Sequence, residues 1–336
     1  MKLDINKPLD GLLLVGDMHV KKDNIQESEQ IIEWIKKVSL ENGNLPIVFL
    51  GDQYNDFGIA KVEVTDFWKW AYSYLDVPTI SLVGNHDANS DMSLNFMTLH
   101  TDHTTVVDGP TYVGFDQYLF LPFYRNAEQF LEIVNSAPRK PKTIICHQEF
   151  NGAQYENGFY APHGTEPSLI NASVTSIISG HIHKKQAFER VFYPGTARHL
   201  TRSDIGEEKG VHILKGDQIT FIPTPKDVSE PFLHYEISKD NQVQPIIDSS
   251  ERVFIDIRGD EAFVKKSLKA MPKGAKVRTF VEQETTTVTV KESEGIPKAF
   301  FSYYMEYANL NGLGTAETKA ILDLIYQKCP SLKAST

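Results

Sequence analysis

Two cysteines in 336 residues, Cys146 and Cys329, are too few for a disulfide framework or for a zinc site built from thiolates. No apolar run approaches the ~18–20 residues that span a bilayer. The opening stretch MKLDINKPLDGLLLVGD brings acidic residues early, and its apolar run from Leu12 to Val15 is too short for a signal peptide. These absences point to the cytoplasm, that of a host cell if the source is viral, and to no membrane partner. Positive charge is also in deficit: 34 Lys and Arg stand against 44 Asp and Glu, a net charge of -10. That argues against a simple basic nucleic-acid-binding protein. The deficit is uneven. From Lys226 onward 15 basic residues face 16 acidic ones, while the first 225 residues hold 19 against 28. Divalent cations would offset part of the charge of such an acidic region. Internal repeats and low-complexity segments are lacking as well.

What is present is ordinary globular composition, 41% hydrophobic and 23% charged. The length suits two domains, or one large domain with an appendage. Residues 12–15, 47–50 and 79–83 are short apolar runs ending in glycine and polar residues, and read as buried strands. Between the first two, Ile25, Ile31, Ile32, Ile35 and Val38 recur at helical spacing, predicting a helix over 24–40 with Asp23 or Asn24 as its cap. Between the second and third, Phe67, Trp68, Ala71 and Leu75 share one face of a helix over 62–75. This βαβαβ rhythm predicts a largely parallel sheet with covering helices.

After Asp108 the texture changes. A hairpin is expected at 111–114 and 118–121, a helix at 127–135, and strands at 143–146, 176–179, 187–192, 211–214 and 218–221. The last two are joined by a turn at Lys215-Gly216-Asp217. Two sheets packed face to face with outer helices absorb this count. Pro223, Pro225 and Pro231 punctuate the exit. A strand at 252–257, a helix at 260–270, strands at 276–281 and 285–290, and a helix at 315–328 follow. The expected organisation is therefore a domain over 1–225, a smaller α+β unit over 226–295 and a helical segment over 296–336.

Five motifs sit where strands end: Gly16-Asp17-Met18-His19, Gly51-Asp52-Gln53-Tyr54-Asn55, Gly84-Asn85-His86-Asp87, Cys146-His147 and Gly180-His181-Ile182-His183. The carboxyl ends of strands are where an α/β sheet puts its site. Asp17 with His19, and His181 with His183, are i, i+2 pairs, which extended backbone points the same way. Asp17, His19, Asp52, His147, His181 and His183 are good metal ligands, and the Asn85 amide oxygen makes a seventh. One metal would use about half of them; two metals bridged by a carboxylate would use all. Any one motif alone is weak, since a Gly-Asp turn is usually just a turn. The ordered set of five is the signal. Cys146 reads as a buried strand residue. His100, His103, His163, His199, His212 and His234 lack matching context and read as structural or surface groups, with His163 and His199 the two that could lie near a substrate.

From Asp17 to His183 the set resembles the calcineurin-like metallophosphoesterases, whose pattern is D-x-H, G-D, G-N-H-D/E, H and G-H-x-H. The resemblance implies a four-layer α/β/β/α sandwich and two divalent metal ions. It implies that Asp17, His19, Asp52 and His183 bind the first ion, and that Asp52, Asn85, His147 and His181 bind the second, with Asp52 bridging. It gives His86 no metal and a place over the site as acid or transition-state stabiliser. Two divalent ions ~3.5–4 Å apart clamp a phosphoryl oxygen and an attacking water. Nitrogen and oxygen ligands without thiolate suit manganese, iron or zinc.

Protein serine/threonine phosphatases of this family usually carry G-D-x-x-D-R-G and G-N-H-E, which this chain does not match. Its layout is more similar to the SbcD-type recombination nucleases, including phage recombination endonuclease subunits. Length, the G-N-H-D form, Tyr193-Pro194-Gly195-Thr196-Ala197-Arg198 and Lys209-Gly210-Val211 carry that likeness. It implies a small capping domain after the phosphoesterase domain, manganese-dependent exonuclease and endonuclease action on DNA, and a role in DNA repair, recombination and replication. It also implies an SMC-like ABC ATPase partner with a coiled coil (SbcC-type), and a homodimer. The helix at 315–328, or Phe300-Phe301-Ser302-Tyr303-Tyr304 before it, is the candidate docking segment. Between Arg258 and Arg278 seven basic residues face two acidic ones, a local excess able to contact phosphates. Lys184, Lys185, Arg198 and Arg202 are better placed to steer a backbone into the site. Asn55, where the family often has Asp or His to orient the catalytic histidine, is expected to bond His86 through its amide. Expected substrate contacts are thus Asn55, Lys184 and Arg198. The competing functions are a small-molecule phosphodiesterase, which shares every ligand, and a DNA-end-bridging scaffold, which has no need of them.

Overall fold

The computed structural model describes residues 3–162, 164–241, 252–271, 276–281 and 315–328. The chain divides into two compact units, Met1–Ile257 with Leu268–Thr279, and Arg258–Ser267 with Phe280–Thr336. The first unit thus runs past residue 225.

Its first sheet is built from β1 (Leu12–Val15), β2 (Ile47–Phe49), β3 (Thr79–Leu82) and β4 (Thr105–Val107), all parallel. The hairpin of β11 (Gly210–Lys215) and β12 (Gln218–Pro223) then adds antiparallel to β1, giving the order β12-β11-β1-β2-β3-β4. The helices α1 (Ile25–Glu41) and α2 (Val62–Leu75) are the crossovers that parallel pairing requires. The second sheet comprises β5 (Thr111–Val113), β6 (Tyr118–Leu121), β7 (Thr143–His147), β8 (Ser176–Gly180), β9 (Gln186–Phe188) and β10 (Val191–Tyr193), in the order β5-β6-β7-β8-β10-β9. Its helix α3 (Ala127–Asn135) starts on an Asn126 side chain that accepts the amides of Glu128 and Gln129.

Strand side chains alternate between faces, and here both faces of each sheet are covered. Leu13, Val15, Ile47 and Phe49 pack on Ile31, Ile35, Trp68 and Ala71 of the helices. Their neighbours Leu12, Leu14, Val48 and Leu50 pack on Phe120, Ile145 and Ile178 of the other sheet. Leu119, Leu121, Ile144, Cys146 and Ile177 face Phe130 and Val134 of α3. Three cores between four layers make the expected α/β/β/α sandwich. Each fully buried aliphatic or aromatic side chain contributes ~1.5–3 kcal/mol, so these layers dominate stability.

Some elements differ from expectation. The strand expected at 187–192 is two, β9 and β10, because Glu189 takes a left-handed conformation (φ 49°) and folds Val191 back onto Phe188. The three-residue β4 went unread, since half-buried Thr105 and Val106 give no apolar run. So did β13 (Leu233–Ile237), which pairs parallel with β14 (Val253–Gly259) and, with β15 (Lys276–Val281), makes a third small sheet. Helices α4 (Glu261–Lys269) and α5 (Thr315–Lys328) fall where expected. The strand expected at 285–290, the segment Phe300–Tyr304 and His163 lie outside the described residues. Among the described residues no helix is long and apolar enough to cross a membrane.

Candidate metal centre

All five motifs meet at one edge of the sandwich. β1, β2 and β3 deliver Asp17, Asp52 and Asn85 from one sheet; β7 ends on His147 and β8 delivers His181 from the other. Two glycines show why the motifs read as they do. A Cβ on Gly51, whose φ is +108°, would lie 2.2 Å from Nδ1 of His147. A Cβ on Gly84 would lie 2.2 Å from Oδ1 of Asp52. Only glycine lets these side chains approach. His19 (φ 42°), Asp52 (φ 51°) and His181 (φ 81°) themselves occupy the left-handed region. Strain of ~1–3 kcal/mol per residue of this kind persists only where surrounding structure enforces it.

Three overlapping groups form: Asp17, His19 and His183; His19, Asp52 and His86; Asp52, His147 and His181. In the first, Nε2 of His183 lies 3.0 Å from Nε2 of His19 and 3.5 Å from Oδ2 of Asp17. In the third, Asn85 Oδ1 lies 3.1 Å from Nε2 of His147 and 2.8 Å from Nδ1 of His181. Oδ2 of Asp52 stands between, 3.6 Å from Nε2 of His19 and 3.4 Å from Nε2 of His147. With metal–ligand bonds of ~2.0–2.2 Å, neighbouring ligands of one ion stand about 3–3.5 Å apart, so these separations fit. Seven oxygen and imidazole donors with no thiolate suit a borderline divalent cation.

The environment fixes proton positions. The Leu50 carbonyl accepts from Nδ1 of His147 at 2.7 Å, which leaves Nε2 for the cluster. The Asn55 carbonyl accepts from Nδ1 of His86 at 2.7 Å, which leaves Nε2 of that ring toward the site. His86 lies edge-on to His19, centroids 4.8 Å apart. Asp52 Oδ1 accepts the His86 amide at 2.8 Å, and Asp17 Oδ2 accepts the His181 amide at 2.9 Å. Burial raises Asp17 to about 6 despite His147. Burial also opposes charge on Asp52, yet His147, His19 and His86 outweigh it and hold the carboxyl below the usual range. Burial would lower His147, but Asp52 and Asp17 lift it to about 9. His181, desolvated and beside His147, falls to about 3. Buried Asp87 joins the second and third motifs by accepting the amides of Tyr54 and Gly84, both at 2.9 Å. Burial and Asp52 raise it to about 7.

The eight residues Asp17, His19, Asp52, Asn85, His86, His147, His181 and His183 are thus brought together. The other three expected site residues differ. The amide of Asn55 turns to Asp56 at 2.9 Å, and only its backbone carbonyl reaches His86. Arg198 was expected on substrate, but it is 2% exposed and its guanidinium is spent on Ser28 Oγ (2.7 Å) and the carbonyls of Met18 (2.5 Å) and His19 (3.3 Å). A buried cation whose two terminal nitrogens are bonded within the chain holds the His19 turn instead of meeting a substrate. Lys184 is half-buried and donates to Gln154 Oε1 at 2.8 Å.

Other groups went unread. Lys209, 8% exposed, pairs with Asp204 at 2.5 Å and donates to the His183 carbonyl at 2.9 Å. The Gly195 carbonyl packs directly on Gly16. Glu149 and Glu156 face His181 and His183. Glu149 was findable, because it lies two residues beyond His147 as His183 does beyond His181; Glu156 carries no such signal. Phe123 stacks on His181 (5.6 Å, 26°), and the partly exposed ring of Phe57 lies 6.1 Å from His86. Cys146 is buried, its thiol pushed up to about 12 by desolvation. His199 is committed structurally, to the Glu207 carbonyl and the Phe232 amide, both at 2.9 Å.

The family model of the calcineurin-like phosphoesterases matches residues 12–185. One solved crystal structure is similar over 65% of this chain and 100% of its own, at 14% identity and a TM-score of 0.44. No curated protein is similar enough to count as a match.

Proposed function

This chain belongs to the calcineurin-like phosphoesterases, which implies metal-dependent phosphoester hydrolysis, and on that premise we propose that it is the nuclease subunit of an SbcCD-like DNA recombination and repair complex. One observation carries the hydrolase part: six donor side chains from two sheets converge around a seventh, the carboxylate of Asp52. The nuclease part is supported by the segments that carry the likeness to SbcD-type proteins, for these are the ones braced against the ligands. Gly195 packs on Gly16, Arg198 holds the Met18 and His19 carbonyls, and Lys209 holds that of His183.

Asp17, His19, Asp52 and His183 would hold one divalent ion, and Asp52, Asn85, His147 and His181 the other, with manganese the proposed metal. Such ions supply a polarised phosphoryl group and an acidified water. The chain's own contribution is positional. Asp52 sets the spacing of the two halves, and the strained turns at His19 and His181 aim their rings inward. His86, with Nδ1 donating to the Asn55 carbonyl, turns Nε2 to the phosphoryl or leaving oxygen and donates a proton there when charged. The proposed setting is the cytoplasm of the cell or of a viral host, as a homodimer with a coiled-coil ABC ATPase on DNA.

The test is a manganese-supplemented cleavage assay on linear duplex and single-stranded DNA, with bis-p-nitrophenyl phosphate alongside and with any coexpressed ATPase added. DNA cleavage that is lost in Asp52→Ala, and falls ~10²–10⁴-fold in His86→Ala while metal binding persists, supports the reading. Turnover of the small diester with DNA untouched would make it a small-molecule phosphodiesterase. DNA binding without hydrolysis of either would make it a scaffold.

A further inference from the structure

We infer that Glu149 and Glu156 are positioning residues, each fixing the tautomer and ring orientation of one histidine of the Gly180-His181-Ile182-His183 turn. The inference rests on the metal-centre reading above. An imidazole that turns a lone pair inward must carry its proton on the outward nitrogen, because the neutral ring has one N–H. His147 and His86 meet that need with backbone carbonyls, those of Leu50 and Asn55. His181 and His183 have carboxylates on that side at ion-pair distance, longer than a hydrogen bond. The outward Nδ1 of His183 lies 3.7 Å from Glu156 Oε1, and the outward Nε2 of His181 lies 3.8 Å from Glu149 Oε2.

The two rings are used in opposite senses. His183 turns Nε2 to Asp17 and His19; His181 turns Nδ1 to Asn85. Two histidines only two residues apart therefore need opposite tautomers. The negative charge facing each outward nitrogen attracts an N–H there, which favours the right tautomer and makes the inward lone pair more basic. The placement is built. Both acids are largely buried, with side chains 19% and 18% exposed. The Tyr155 hydroxyl donates to Glu149. Gln154 exchanges bonds of 2.8 and 2.7 Å with Gln186 and accepts from Lys184 at 2.8 Å, which ties the acidic loop to the residues just after His183.

The experiment is calorimetric titration of Mn²⁺ into the metal-stripped full chain, with Glu149→Gln, Glu156→Gln, Glu156→Asp and Asp52→Ala, alongside nitrogen-15 spectra of the histidine rings. Outer partners of ligating histidines typically govern 10–100-fold in metal affinity. Each Glu→Gln should therefore weaken Mn²⁺ by about that factor and blur the tautomer of its own histidine. Metal-free melting temperature should stay put, and Glu156→Asp should recover part of the loss. Gln variants that bind Mn²⁺ as the parent does, while Asp52→Ala does not, overturn the inference and leave the metal centre standing. Affinity that falls only in step with metal-free stability also overturns it, as a loop-folding role. A parent that binds no Mn²⁺ overturns the metal centre itself.

Discussion

Asp52 and Asp256 are the same residue in nearly the same burial, each 2% exposed, and each holds its carboxyl below the usual range. Their surroundings are opposite in kind. Asp52 faces two imidazoles, those of His147 at 3.4 Å and His19 at 3.6 Å, groups that can give up their protons, and Nδ1 of His147 is bonded outward to the Leu50 carbonyl. Asp256 is held by two guanidinium groups and an imidazole. Arg202 donates at 2.6 Å, Arg278 donates twice at 3.0 and 3.1 Å, and His234 lies at 3.1 Å. One carboxylate is neutralised by the chain and ties β14 to β15 and to the turn at Arg202. The other converges with further donor atoms of the cluster, and among the described residues no Lys or Arg pairs with it. Burial and a lowered pKa do not tell a functional carboxylate from a structural one; the permanence of its partners' charge does.

The sharpest break of that comparison is a pair of alanines. Asp52→Ala should lower diester hydrolysis more than ~100-fold. It should also abolish the metal-induced stabilisation, which for one site is about 2.7 kcal/mol at metal 100-fold above its dissociation constant. Its metal-free melting temperature should move by only a few degrees. Asp256→Ala should do the reverse, keeping hydrolysis of bis-p-nitrophenyl phosphate while losing stability. Melting curves with and without Mn²⁺ check both. If Asp52→Ala kept the metal-induced rise, the imidazoles would not be acting as ligands around it.

Arg198 lies between the two cases, a structural cation that serves the site. Arg198→Met leaves the Met18 and His19 carbonyls and Ser28 without their donor, and should cost about 3 kcal/mol by urea unfolding. Because His19 sits at a strained φ of 42°, metal affinity should fall with it. Arg198→Met with unchanged stability and affinity would mean that other contacts hold the His19 turn.

The contrast also explains how far the sequence could be read. The cluster was legible because each of its members lies at, or within four residues past, the end of an apolar strand, a local signal. The sandwich was legible for the same reason, from fully apolar runs such as Leu12–Val15 separated by amphipathic helices. What stayed hidden depends on distant pairs. Arg198 has the composition of a phosphate contact, and only its 2% exposure and partners some 170 residues away reveal it as a clamp. Asn55 was read by side-chain type, but its backbone carbonyl does the bonding. Strand β13 alternates Leu233, Tyr235 and Ile237 with His234 and Glu236, a pattern that means little until β14 lies beside it.

The smallest effect sharpens the comparison from the structural side, through pH. Burial would raise Asp256, but Arg278, Arg202 and His234 outweigh it and depress the carboxyl. The unfolded chain returns it to roughly 3.9. Between those two pH values the unfolded state binds more protons, so stability contributed by Asp256 is complete above about pH 4 and drains away as acid titrates the folded form. Arg278 is 56% exposed, so solvent screens part of the attraction and the neutral-pH loss in Asp256→Asn should be near 1 kcal/mol. The difference in urea midpoint between parent and Asp256→Asn should persist from pH 7 to 5, shrink below pH 4, and shrink at all pH values in high salt. A difference that keeps growing below pH 4 would mean that the guanidinium groups do not set this carboxyl, and the distinction between fixed and exchangeable cations would fail at its structural end.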